Sequence, residues 1–204
     1  MTTNEALFSL PDAVILCGGS ATRLGGIDKP LRALAGTPLI ERVVNRIQPQ
    51  CRRILLSANR NLRVYENYGA VVVDDPSLPS AGPLAGIAAG LTASTSPWTL
   101  CVPGDAPNLP LELVQRLAES VTTSQLDIAF VNDGLGPQPL CALIRTHLRD
   151  ELIAYLRAGG STPRHWYQQY TSLAVTFGDW PRWSWSVNTP EEWARAEIEL
   201  SHCV

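Results

Sequence analysis

The stretch Leu16-Cys17-Gly18-Gly19-Ser20-Ala21-Thr22-Arg23-Leu24-Gly25-Gly26-Ile27-Asp28-Lys29-Pro30-Leu31 follows directly on the apolar run Ala13-Val14-Ile15. The apolar run reads as a first buried β-strand. Four glycines, Arg23 and Lys29 then share one loop. Glycines let backbone N–H groups close on an anion with no Cβ in the way. Arg23 and Lys29 add charge-assisted bonds to phosphate oxygens. A strand that runs into such a loop predicts a nucleotide-phosphate cradle. The two commonest cradles are excluded. Gly18 and Gly19 are adjacent, which breaks G-x-G-x-x-G, and Lys29 sits between Asp28 and Pro30, which leaves no G-K-[ST].

Outward from this loop, strand-like and helix-like segments alternate. Strands are expected at Ala13–Cys17, Arg53–Ser57, Ala70–Val73, Trp98–Val102, Ile128–Val131, Leu140–Ile144 and Leu173–Phe177. Helices are expected at Pro38–Gln48, Leu62–Tyr68, Pro83–Ala93, Pro110–Ser120, His147–Ala158 and Pro190–Ser201. Pro83 and Pro110 are helix starts, and Gly159-Gly160 is a helix stop. The alternation predicts an α/β fold, a mostly parallel twisted sheet with helices on both faces. Ligands of such sheets lie beyond the carboxyl ends of the strands. The loops Gly18–Lys29, Asp74–Gly82 and Pro103–Leu109 are therefore expected to meet at one crevice.

The chain has 204 residues, 45% hydrophobic and 17% charged, and a net charge of −3. That size suits one compact domain over 1–204, with a frayed leader over 1–11, a nucleotide half over about 12–110 and an acceptor half over about 111–204. The acidic balance argues against a nucleic-acid or anionic-membrane binder. No run is long enough for a membrane span, and Met1–Leu10 lacks the basic and apolar regions of a signal peptide. The five cysteines (Cys17, Cys51, Cys101, Cys141 and Cys203) are odd in number and form no C-x-x-C. They read as reduced, buried residues of a cytoplasmic protein. His147, His165 and His202 have no partner at metal-ligand spacing.

Three strand ends carry further chemistry. Pro103-Gly104-Asp105-Ala106-Pro107 holds a carboxylate between two prolines that stiffen its backbone. By itself Asp105 reads as a turn residue ahead of a helix. Beside a phosphate loop it reads as a Mg²⁺ ligand, because Mg²⁺ takes one or two carboxylates together with substrate phosphates. Val73-Asp74-Asp75-Pro76 ends another strand with two acids, which by themselves read as a solvated turn, although a carboxylate there can accept from paired N–H groups or from a hydroxyl. Thr189-Pro190-Glu191-Glu192 is a helix start with Thr at the N-cap. Trp180, Trp183 and Trp185 read as packing residues rather than as a stacking platform.

In Leu16-Cys17-Gly18-Gly19, Arg23-Leu24-Gly25 and Asp28-Lys29 the first loop resembles the signature of GT-A-like nucleotidyltransferases, and it is most similar to that of the molybdenum cofactor guanylyltransferase family. Three more motifs follow in the family's order: Asp74-Asp75 with Gly82-Pro83-Leu84-Ala85-Gly86, Pro103-Gly104-Asp105-Ala106-Pro107, and Ser186-Val187-Asn188-Thr189-Pro190-Glu191-Glu192. The resemblance runs from about Asp12 to about Trp193. It implies a Rossmann-like, GT-A-like fold, and transfer of GMP from GTP to the terminal phosphate of molybdopterin with release of pyrophosphate. It implies Mg²⁺ on Asp105, nucleotide contacts from Leu16, Cys17, Gly18, Gly19, Lys29, Ser57, Asp75 and Asp105, and catalytic roles for Arg23, Lys29 and Asp105. Asn188 and Arg164 are the implied acceptor contacts. Molybdopterin-carrying biosynthetic proteins and molybdoenzyme maturation chaperones are the implied protein partners. The chain departs from the family pattern at Ser57 and Ser186, each standing where the family has asparagine. A cytidylyltransferase or a sugar-phosphate nucleotidyltransferase of the same fold would keep Arg23, Lys29 and Asp105. A catalytically idle nucleotide-binding regulator would be expected to lose Lys29 or Asp105.

Overall fold

The computed structural model describes residues 8–18, 28–78, 82–180 and 186–201. In chain order the elements are β1 (Asp12–Leu16), β2 (Ala33–Leu34), β3 (Thr37–Pro38), α1 (Leu39–Ile47), β4 (Arg53–Ser57), α2 (Leu62–Tyr65), β5 (Ala70–Val72), α3 (Pro83–Ala93), β6 (Trp98–Pro103) and α4 (Leu113–Thr123). They continue with β7 (Ile128–Asn132), β8 (Pro137–Arg145), α5 (Arg149–Arg157), α6 (Pro163–Tyr167), β9 (Ser172–Thr176) and α7 (Pro190–Ser201). Seven strands form one sheet in the order β5-β4-β1-β6-β8-β7-β9. Only β8 runs against the others. The mostly parallel α/β sheet expected from the alternation is therefore present.

Strand periodicity divides the core into two layers. In β1, Ala13 and Ile15 face a cluster with α1 and α4, whereas Val14 and Leu16 face a cluster with α3, α5 and α6. A strand buried on both faces must be apolar throughout, which is why Ala13-Val14-Ile15-Leu16 shows no alternation. The sheet order reverses at β1, with β4 on one side and β6 on the other. Leu16 is in register with both Ser57 and Pro103, so the ends of β4, β1 and β6 lie side by side at this switch point.

Several boundaries differ from those the sequence predicts. The helix expected from Pro110 begins at Leu113. Buried Gln50 is the reason: its amide N–H donates to the Pro110 carbonyl at 2.8 Å and its amide oxygen accepts the Val114 N–H at 2.9 Å. The Pro110 carbonyl is shared by Gln50 and the Leu113 N–H, the latter at 3.3 Å, while the Val114 N–H turns to Gln50, so the helix is capped from outside. The helix expected over His147–Ala158 opens as a 3-10 turn and becomes α5 at Arg149. The one expected over Leu62–Tyr68 stops at Tyr65. The two-stranded β2–β3 ribbon and the short α6 have too few residues to show a period. Residues 8–11, expected in a frayed leader, are tied to the sheet end. Pro11 O accepts the Arg52 N–H at 2.8 Å, Leu10 O accepts the Ser96 hydroxyl at 3.0 Å, and the Phe8 ring lies 6.1 Å from that of Trp98. Cys17, Cys51, Cys101 and Cys141 are buried free thiols, and burial raises the thiol pKa of each, that of Cys51 to about 12.

Candidate active site

The site forms where the C-terminal ends of β1 and β6 meet. Gly104 N–H donates to Leu16 O at 2.9 Å, which extends the β1–β6 ladder past the last strand residue. A Cβ at Gly104 would stand 2.9 Å from that carbonyl and 3.1 Å from Pro30 Cγ, so only glycine allows this approach. The next residue, Asp105, is partly buried, and its Oδ2 takes two bonds. One is an ion pair with Lys29 Nζ, and the other comes from the Ser186 hydroxyl at 3.1 Å.

Lys29 also donates to Asn188 Oδ1 at 2.7 Å, and Asn188 Nδ2 donates to Ser186 Oγ at 2.8 Å. Lys29, Asp105, Ser186 and Asn188 thus close a ring in which each link pairs a donor with an acceptor. Backbone geometry holds the ring in place. Val187 N–H donates to Asp105 O at 3.2 Å, while its side chain is buried with Leu34, Leu39 and Ala196. Its two neighbours in this extended segment, Ser186 and Asn188, carry the polar contacts. Helix α7 follows at once through a capping box: Glu192 N–H donates to Thr189 Oγ1 at 3.1 Å, and Glu192 Oε2 accepts the Thr189 N–H at 3.1 Å.

On the other side of Lys29, Asp28 is 1% exposed and fastens the end of the first loop to the segment after β4. Its carboxylate pairs with Arg60 and accepts from Asn61 Nδ2 at 2.8 Å. The sequence reading passed over Asp28, although the Asp28-Lys29 dipeptide was the available signal. It also gave Ser186 no role of its own, because a serine in place of an amide read as a loss.

The remaining expected residues are distributed as follows. Leu16 and Cys17 are buried at the end of β1, and Gly18 is exposed beyond them. Gly19 and Arg23 lie outside the described residues, as do Trp183 and Trp185. Ser57 is buried beneath α3, where a Cβ at Gly86 would stand 2.4 Å from its hydroxyl, and it donates to Asp74 Oδ1 at 3.4 Å. Asn59 exchanges two further bonds with Asp74, at 2.8 and 3.1 Å. Asp74 is thereby bound to the end of β4, and Asp75 is the exposed acid of the pair. The Ser77 hydroxyl and backbone N–H, the latter at 2.8 Å, hold the Asp75 carboxyl below its ordinary pKa. Arg164 is exposed on α6. Trp180 packs on the core and donates to Glu112 at 3.3 Å.

Donor chemistry at Asp105 suits a divalent cation. Among the described residues, Oδ1 accepts no bond, and a cationic ammonium already sits on Oδ2. No cluster of three or more His, Cys, Asp or Glu is present among the described residues to form an all-protein cage. One carboxylate that shares its metal with substrate phosphates is the arrangement Mg²⁺ favours.

The MobA-like NTP transferase domain family matches residues 13–174, most of the chain and the whole β1–β6 end of the site. The chain belongs to this family. Two relatives support the MobA-like assignment. A molybdenum cofactor guanylyltransferase of Shewanella putrefaciens is 40% identical over 89% of this chain and 93% of its own length. One of Shewanella amazonensis is 41% identical over 89% of this chain and 92% of its own. Among solved structures, a molybdopterin-guanine dinucleotide biosynthesis protein A from Archaeoglobus fulgidus superposes with TM-score 0.75 at 20% identity, covering 94% of this chain and 99% of that one. The 2-C-methyl-D-erythritol 4-phosphate cytidylyltransferase of Thermus thermophilus gives 0.69 at 16% identity, covering 95% and 100%. At those identities the structures share the MobA-like fold and speak to nothing finer.

Proposed function

We propose that this chain transfers the GMP moiety of GTP to the terminal phosphate of molybdopterin and releases pyrophosphate. The observation that carries the reading is the ring of Lys29, Asp105, Ser186 and Asn188. It joins the end of the phosphate loop to the segment that the family resemblance assigns to the acceptor, so both substrates would meet over one pair of charges. The relatives named molybdenum cofactor guanylyltransferase support the choice of base and acceptor.

No covalent nucleophile is required. The acceptor phosphate is already anionic and attacks the α-phosphorus in line, so positioning and charge neutralisation carry most of the rate. Lys29, with Arg23 from the same loop, would hold the departing pyrophosphate oxygens as negative charge builds on them. Asp105 would hold Mg²⁺, which when bound supplies neutralising charge at the α-phosphate. Backbone groups of Leu16–Gly19 would lie along the nucleotide and Asp75 at its base or ribose, with Ser57 acting through Asp74. Asn188, and Arg164 from α6, would meet the pterin. Among the described residues no helix is long and apolar enough to cross a membrane. A cytoplasmic setting, with molybdopterin-carrying proteins and maturation chaperones as partners, is part of this proposal. Mass spectrometry of a reaction with GTP, Mg²⁺ and molybdopterin tests it. The guanine dinucleotide product is expected, and its absence with an intact protein would overturn the reading.

A further inference from the structure

We propose that Glu192, in the first turn of α7, is a positioning residue for Lys29. Its Oε2 accepts the N–H of Thr189 at 3.1 Å, as a capping box requires, and also the N–H of Asn188 at 2.7 Å. The second bond lies outside the helix and fixes the backbone of the residue whose amide oxygen receives the Lys29 ammonium at 2.7 Å. Asn188 Nδ2 at 2.8 Å from Ser186 Oγ then fixes which way the amide faces. The link therefore runs from Glu192 to Asn188, and from there to Lys29 directly and to Asp105 through Ser186.

An ammonium on a flexible four-carbon stem has three donors and no preferred fork, so its position depends on its acceptors. Here the acceptors are one carboxylate and one amide, and the amide is exposed. Ser186 sets the facing of that amide, and Glu192 holds the backbone from which it extends. Helix α7 is itself anchored: Trp193 and Leu200 pack on the cluster of Leu34, Leu39, Val187 and Ala196, and the Arg32 guanidinium lies 4.4 Å from the centre of the Trp193 ring. The helix end is thus a fixed point against which the lysine is placed. The proposal rests on the reading of Lys29 and Asp105 as the reactive pair.

Lys29 is the only lysine in the sequence, so lysine labelled with ¹³C at Cε gives one side-chain signal that reports this residue alone. In the full-length protein, Glu192→Ala is expected to move that signal toward the position of a free, solvated lysine. It should also lower kcat/KM for GTP on the order of tenfold, the scale of a small misplacement. Glu192→Gln, whose amide oxygen can still accept, should stay near the parent. Asn188→Ala keeps the cap of α7 and should displace the signal in the same direction. Thr189→Ala removes only the hydroxyl that caps Glu192, and should lower the melting temperature while leaving the signal and kcat/KM in place. An unmoved signal in Glu192→Ala or Asn188→Ala would overturn the proposal, as would a Thr189→Ala variant that moves signal and rate as far as Glu192→Ala. Should the parent make no guanine dinucleotide, the proposed function fails, and the signal still decides the role of Glu192.

Discussion

Asp105 is the residue on which most of the chemistry converges, because its two oxygens face different tasks. Oδ2 is held by Lys29 and Ser186, Oδ1 accepts no bond among the described residues, and the proposed function gives Oδ1 the cation. Asp105→Asn preserves the shape and can still accept from Ser186, but an amide neither pairs with Lys29 nor binds Mg²⁺ well. Turnover is expected to fall roughly 100- to 1,000-fold, the ~2.7–4 kcal/mol that one electrostatic contact of this kind contributes, with the melting curve close to the parent. Near-normal turnover in saturating Mg²⁺ would remove Asp105 from the metal site. Asp75 is the exposed acid of the Asp74-Asp75 pair that follows β5. Asn59 and Ser57 bind Asp74, whereas Asp75 is held within its own turn by Ser77, so the proposed function assigns the base or ribose contact to Asp75. Asp75→Ala should weaken GTP binding more than CTP binding in calorimetric titrations, and equal losses would assign it to the ribose. The candidates Lys29 and Asp105, which the structure brings together, were legible because each sits in a short motif. Ser186 was not. Its meaning depends on Asp105, 81 positions away, and no local pattern encodes that distance.

Among the elements, α3 shows how closely a helix can be set on the sheet. A Cβ at Gly90 would stand 2.5 Å from Val14 Cγ2, 2.7 Å from its Cβ and 2.9 Å from its Cγ1. Val14 is fully buried in β1 and branched, so it has no rotamer that clears the space. Gly90→Ala gains up to ~1 kcal/mol of helix propensity, while overpacking costs typically ~1–3 kcal/mol. A lower melting temperature is expected, by several degrees if the upper end of that cost applies; a rise would mean that α3 can lift from β1 without loss. The limits of α3 and α7 were legible from Pro83 and from Thr189-Pro190, where local chemistry sets the boundary. The start of α4 was not, because Gln50 caps it from another part of the chain.

Across the whole molecule, the sheet separates a chemical end from a structural one. Asp12 sits fully buried at the N-terminal end of β1, away from the crevice. Its carboxylate accepts the Thr95 N–H at 2.9 Å and the Ser94 hydroxyl at 3.0 Å, and pairs with Arg52 at 2.9 Å. Burial alone would raise its pKa, but these partners together outweigh burial and hold it below the ordinary carboxylate value. A carboxyl depressed in the folded state contributes stability above its unfolded pKa, near ~3.9. That contribution is lost as pH falls through the lower folded value. The parent should therefore lose melting temperature more steeply below about pH 4 than Asp12→Asn does, although the variant starts less stable. Parallel curves would show that Asp12 does not couple folding to protons.

The sequence could state the sheet class and the loops at its carboxyl ends, because alternation and glycine spacing are local. Periodicity could not state that the segment before α7 returns to Lys29, since that contact, with Asn188, spans 159 positions, and only the family motif at Ser186–Glu192 pointed toward the acceptor. The central claim is that this joined site couples a guanine nucleotide to a phosphate acceptor. Pyrophosphate release, measured with each of the four NTPs in Mg²⁺ with and without molybdopterin, tests it most directly. Release is predicted with GTP alone among the four, and only when molybdopterin is present. Equal or greater release with CTP, or release indifferent to molybdopterin, would contradict the account.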